Sequence, residues 1–194
     1  NYHDPMIMRT HSYHWIDLAL MREKPHPSPI RSNPLLYNIW DNRSEGLATA
    51  MEEMMMHAGL FDNHPRSKEL FHILTAQRAA RALGDLYMHA NEWDIDKAVQ
   101  FTSKWTPRNW LREDGNTVIG EQFLYLQQPY YGTTYLTGKI LIEWLLAERA
   151  MQLGDKFTLK GFMDEINTIG LIPATLMHWE MTGNPDFLDG HMDR

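Results

Sequence analysis

Pro25, Pro27, Pro29 and Pro34 stand close together, and neither a helix nor a central strand can run through such a cluster. Each proline removes a backbone donor and pushes the residue before it toward extended geometry. Whatever precedes must stop by Lys24, and whatever follows must start afresh. The loop is rigid and polar, and too short to link separate domains. The rest of the chain shows the opposite pattern: long stretches of helical periodicity, with no sustained two-residue alternation and no turn pairs between alternating segments. Strands are therefore few or none.

Helix punctuation fixes the expected elements. Residues 6–24 read as one helix. A second resumes near Leu35 or Ser44 and ends at Gly59, which suits a C-cap. A third covers residues 66–90. Asp94 is placed to cap a fourth that runs to about Trp105. Thr106-Pro107 opens a fifth, interrupted at Asp114-Gly115-Asn116 and resuming to Gln127. Beyond Pro129, residues 133–153 form a long amphipathic helix with Gly154 just past its end. Thr158 caps another to about Thr168, and Pro173 begins the last, which ends near Gly183. The fold class is all-α, a helical bundle or array. With 194 residues the expectation is one α-helical domain over 1–194, with two small ones as the alternative. The start at Asn1-Tyr2-His3-Asp4-Pro5 reads as the middle of a longer or split protein.

Composition narrows the function. The net charge of -7 and the lack of a basic face argue against a nucleic-acid partner. No apolar run reaches the roughly 20 residues of a membrane span. Cysteine is absent, so thiol catalysis and thiolate ligands are excluded. Any metal must be held by His, Asp and Glu.

Four stretches carry candidate chemistry. Arg43–Glu53 places carboxylates in a strongly helix-forming, otherwise apolar segment. There Glu45 and Glu52 share a face with Ala48 and Thr49. Seven residues separate the two acids by about 10.5 Å along the axis, so one metal cannot bind both directly. Gly46 costs about 1 kcal/mol of helix propensity against alanine, which suggests that another helix, or an ion, comes close. Near the start of the chain, His11 and His14 lie three apart. With Glu45 from the next helix they make an open two-His, one-Glu set of the kind that holds hydrolytic zinc, with His3 and Asp4 as possible extra ligands. The spacing equally suits histidines at a polar helix end.

The third helix carries Arg78, Arg81, Asp85 and His89 within about 80° of one another, a single polar stripe. It is either a salt-bridged solvent face or the wall of a cleft, where the guanidiniums bind an anion and Asp85 orients His89. Tyr135 and Lys139 enter the long helix one turn apart. They suit an oxyanion donor and a carboxylate anchor, or plain packing.

In order and spacing these stretches resemble the large bacterial family of domain-of-unknown-function 885 proteins, which look like gluzincin metallopeptidases. The likeness runs from about His11 to Glu180 and corresponds to the C-terminal portion of a longer family chain. The family's Glu-Gly-Trp-Ala-Leu-Tyr-x-Glu helix matches Glu45-Gly46-Leu47-Ala48-Thr49-Ala50-Met51-Glu52, with Leu47 and Ala50 as departures. Its Arg-x-x-Arg-x-x-x-Asp-x-x-x-His-x-x-x-Trp pattern is intact at Arg78, Arg81, Asp85, His89 and Trp93. Pro129 through Gly138 resembles Pro-Gly-Gln-Ala-x-x-Tyr-x-x-Gly, without the Gln. Leu153-Gly154-Asp155-Lys156-Phe157 and Phe162 match a later motif, with Met163 in place of its histidine. Gly170 and Pro173 match the Gly-x-x-Pro that follows.

The front of the pattern departs. Family members carry His-Glu-Ala-x-Pro-Gly-His-His, which supplies two zinc ligands and the general base. Here His14 keeps one ligand position, while Met8 and Arg9 stand where the first histidine and the glutamate belong. His11 replaces the lost ligand only if that helix is about one turn shorter. A general base contributes typically 10²- to 10⁴-fold, so a standard peptidase mechanism is not expected.

The resemblance implies a peptidase-like metallohydrolase fold with an altered active site. A small polar or peptide-like anionic substrate would lie in a cleft lined by His, Glu, Arg and Tyr. In that cleft zinc would sit on His11, His14 and Glu45, or be absent. Arg78, Arg81 and Lys139 would bind substrate, Tyr135 and His89 would be catalytic, and Glu52 and Asp85 would support them. The alternative is a degenerate, non-catalytic subunit that binds a companion chain carrying the rest of the fold. Family members are often exported, which points toward a bacterial periplasmic or exported location.

Overall fold

The computed structural model describes residues 4–33 and 40–188, so the expectations that rest on His3 and Leu35 fall outside it. Every regular element among the described residues is helical, and the fold is an all-α helical array. The chain divides into two compact units. One comprises Asn1–His11 with Met51–Leu136, the other Ser12–Ala50 with Thr137–Arg194.

The first unit is built on α4 (Pro65–His89), against which pack α1 (Pro5–His11), α5 (Ile95–Trp105) and α6 (Asn116–Gln127). Burial of apolar faces holds it together: Ile7, Phe61 and Phe71 form one cluster, and Val99, Leu111 and Val118 another. A third joins Met88, Ala98 and Tyr125. Polar contacts set the helix ends. The Asp4 carboxylate accepts the Ile7 amide at 3.0 Å and the Ser67 hydroxyl at 2.9 Å, tying α1 to α4. Asp94 accepts the Lys97 amide at 2.8 Å, the N-cap its position predicted.

Two expectations on helix extent are corrected. Residues 6–24 are not one helix but α1 and α2 (Tyr13–Glu23). The Trp15 and Ile16 amides both bond to the Ser12 carbonyl, so the hydrogen-bond ladder restarts at Ser12, where the second unit begins. Pro107 likewise starts only a 3₁₀ turn, Pro107–Asn109. Arg108 and Asn109 take φ of 57° and 49°, a left-handed geometry that no α-helix propagates.

The second unit contains α2, the first part of α3 (Asp41–His57), most of α7 (Tyr131–Leu153), α8 (Leu159–Ile169) and α9 (Ala174–Thr182). Its central feature explains a glycine that helix propensity disfavours. A Cβ on Gly46 would collide with the backbone of Gly138, and a Cβ on Gly138 would collide with the Asn42 carbonyl. Here α3 and α7 cross backbone to backbone, so the expected close approach at Gly46 is that of a helix. The proline loop is pinned to this unit: the Arg31 carbonyl accepts the Leu171 amide at 2.9 Å, and Arg31 pairs with Glu180 at 2.7 Å. Thr158 caps α8 by accepting the Gly161 amide at 3.1 Å.

Candidate functional site

In the first unit the polar stripe of α4 does not face water. Arg78 is 5% exposed and Asp85 fully buried. Arg78 donates from both terminal nitrogens to the two oxygens of Glu52, at 2.6 and 2.8 Å. Glu52, on α3, is itself fully buried. Burial alone would raise its pKa, but the Arg78 charge, the Arg78 hydrogen bonds and His11 outweigh that and hold it down at about 2. An ionised carboxylate only accepts, so the His11 Nδ1, 3.3 Å from Glu52 Oε1, must carry the proton it shares. In the neutral ring that leaves Nε2 as an open acceptor on a half-exposed side chain.

His11, Arg78 and Arg81 line one cavity of about 930 Å³ in this unit, together with Gln77, Glu121 and Tyr135. Arg81 pairs through Nη1 with Glu121 of α6. Both guanidinium carbons lie over the Tyr135 ring, at 5.8 Å for Arg78 and 5.6 Å for Arg81. The wall therefore carries two cations, each already matched by a carboxylate, around one aromatic ring. Such a wall offers placed donors rather than excess charge.

Asp85 and His89, the other half of the stripe, serve the fold. The Asp85 carboxylate accepts the amides of Gly132 at 2.7 Å and Tyr130 at 3.2 Å, at the start of α7. Its pKa is raised, because burial outweighs these bonds and the neighbouring His89. His89 donates Nε2–H to the Tyr125 carbonyl at 2.9 Å, leaving Asp85 at 3.4 Å as a weaker contact. The expected orientation of His89 by Asp85 is thus secondary to a backbone bond. His89 is not among the described residues that line the cavity.

The remaining candidates lie in the second unit. His14 Nε2 and Glu45 Oε1 face each other at 3.8 Å, and His14 Nδ1 is buried with no hydrogen-bond partner among the described residues. Burial, and the Glu45 charge one turn on, raise the Asp41 carboxyl to about 7. Lys139 pairs with Glu143 at 2.8 Å along its own helix. For a zinc set the fit is poor. Among the described residues no three His, Asp or Glu side chains converge as metal ligands, and His11 is engaged with Glu52.

Sequence reasoning missed Gln77 and Glu121. The signal for Gln77 was present, because Leu70, Leu74, Gln77, Arg78 and Arg81 repeat at helical spacing and share one face of α4. Glu121 comes from a separate helix, and nothing local marks it.

The profile of a family described as "Bacterial protein of unknown function (DUF885)" matches residues 14–181. A solved structure described as the "putative lipoprotein from Colwellia psychrerythraea" superposes with a TM-score of 0.71 at 23% sequence identity. The match covers 96% of this chain and 31% of that one. At that identity the likeness shows the fold, and the chain spans under a third of that relative's length. No curated protein matches.

Proposed function

The chain belongs to the bacterial DUF885 family, and from that membership we propose that it is a peptidase-like hydrolase-fold protein with an altered site. In this reading the cavity of the first unit binds a small polar or peptide-like anionic molecule. The observation that carries the proposal is the chain of contacts Arg78–Glu52–His11 ending at the cavity wall beside Arg81 and Tyr135. Each member has a distinct part. Arg78 neutralises Glu52, Glu52 fixes the tautomer and direction of His11, and His11 presents Nε2 to the bound molecule as acceptor or base. Arg81 supplies donors for a carboxylate or carbonyl, and Tyr135 supports both guanidiniums. The gluzincin-like relationship belongs to the same proposal and rests on the motif order in the sequence. No step is routed through zinc, because the described residues do not offer a third ligand beside His14 and Glu45.

The test is isothermal titration of the purified chain with a panel of short peptides bearing free carboxylates. One site per chain, lost in Arg81→Gln, is expected. A panel without a single binder would overturn the reading.

A second reading, a non-catalytic subunit holding a companion chain, is favoured by one feature. Ile119, Phe123 and Leu126 lie on one face of α6 and are 43%, 55% and 41% exposed. A stable second polypeptide that copurifies and is lost in Phe123→Ser would support it. No helix among the described residues is long and apolar enough to cross a membrane. An exported location is part of the proposal and is supported by the description of the Colwellia protein as a lipoprotein.

A further inference from the structure

Gln77 is 5% exposed, lines the cavity, and makes no hydrogen bond to any other described residue. A side-chain amide has two donors and an acceptor, and neither the Oε1 nor the Nε2 of Gln77 is sealed from solvent, so water in the cavity meets them until a ligand of complementary chemistry displaces it. Its neighbours on α4 set the order of chemistry along the wall. Leu70 and Leu74 come first, then Gln77, then Arg81, all on one helical face. From Leu74 to Arg81 the helix rises about 10.5 Å, at roughly 1.5 Å per residue. Arg81 uses Nη1 for Glu121, while Nη2 has no partner among the described residues. Trp110 and Leu111 add apolar surface to the same cavity.

Resting on the cavity reading above, we infer that the molecule bound there is an N-acyl amino acid, or a short peptide of the same layout. Its apolar portion would lie against Leu70 and Leu74, its amide would pair with Gln77, and its terminal carboxylate would reach Arg81. The amide does the discriminating. Arg81 and Arg78 are already matched by Glu121 and Glu52, so a bare fatty acid gains little from charge, whereas a ligand that covers Gln77 displaces its water and must return both a donor and an acceptor, or leave the amide unpaired.

The experiment compares N-hexanoylglycine with its ester analogue hexanoyloxyacetate, which keeps the tail and carboxylate but lacks the N–H. Isothermal titration of the full chain is expected to show about tenfold tighter binding of the amide, the effect of one hydrogen bond. In Gln77→Leu, with circular dichroism unchanged, the ratio should fall to about one. If that variant does not fold, Gln77→Met takes its place in the same measurement. Equal binding of the two probes by the wild-type chain overturns the inference, as does a ratio that survives the substitution. Binding of panel peptides without binding of N-hexanoylglycine also overturns it and leaves the cavity reading standing. Failure of every probe removes both.

Discussion

Glu52→Gln is the substitution that most directly probes the site, because it removes one charge of a buried pair and leaves the other without compensation. The size of the effect follows from the carboxyl group. Its pKa moves from 4.5 to about 2 on folding, a difference worth about 3 kcal/mol at roughly 1.36 kcal/mol per unit. That agrees with the roughly 3 to 5 kcal/mol expected when one member of a buried ion pair is removed. The sign is that of a depressed acid. The stabilisation is complete above the unfolded value near 4.5 and is lost as pH falls toward 2. Amide exchange of α4, which lies in the first unit, is the suitable assay, because it reports that unit without assuming that both unfold together. The wild-type chain should show falling protection between about pH 5 and pH 2. Glu52→Gln should be less protected at pH 7 and show a much flatter acid limb. The double variant Glu52→Leu/Arg78→Met should recover much of the loss, since a packed apolar pair replaces a buried ionic one at little cost. A single variant losing less than about 1 kcal/mol at pH 7, with the acid limb intact, would refute the assignment of Glu52 as the buried partner of Arg78.

Four further outcomes are expected. Gly138→Ala should destabilise the second unit by at least about 1–3 kcal/mol in thermal unfolding, because its Cβ meets the Asn42 carbonyl. Gly120→Ala, at a helical position with open space around it, should instead stabilise by about 0.5–1 kcal/mol. Asp41→Asn should raise the stability of the second unit at pH 8 and much less at pH 5, read from denaturant midpoints. The folded Asp41 carboxyl titrates near 7, above its unfolded value, so its stabilising effect fades as pH rises through that range. Metal analysis of the purified chain should find no stoichiometric zinc. Zinc at one per chain, abolished by both His14→Ala and Glu45→Gln, would restore the metal reading.

Much of the fold was legible because its signals are local. Asp94, Thr158 and Gly183 mark helix ends by chemistry that acts within a few residues, and each lies at an end of its helix. Arg108 was misread because nothing in its side chain announces a break, and Ser12 because serine, a common N-cap, was passed over; here its side chain makes no capping bond. At Ser12 the ladder restarts where one unit gives way to the other, and at Arg108 the backbone turns left-handed despite a proline that favours helix. The site was legible by halves. Arg78, Arg81 and Tyr135 were recognisable by type and spacing, but their partners were not. Glu52 was expected to support the candidate ligands, and its partners are the His11 imidazole and, unforeseen, the Arg78 guanidinium. Glu121 reaches Arg81 across forty residues of sequence, a contact set by how α6 lies on α4.

The Arg-x-x-Arg-x-x-x-Asp-x-x-x-His spacing is read most naturally as one functional unit, because its members share a helical face. In the folded chain the face is divided along its length. Arg78 and Arg81 meet the cavity, whereas Asp85 and His89 hold the backbone at the start of α7 and the end of α6. The two halves are nonetheless coupled by the chain that Asp85 holds. The amides it accepts belong to Tyr130, just before α7, and Gly132, in its first turn, and Tyr135 follows Gly132 by three residues on that helix. Fixing that turn fixes the ring over which both guanidiniums lie. A buried acid that does not line the cavity is thereby a positioning residue for its wall. Loss of Asp85 should loosen Tyr135 before it alters Arg78, whose own anchor, Glu52, is independent of it.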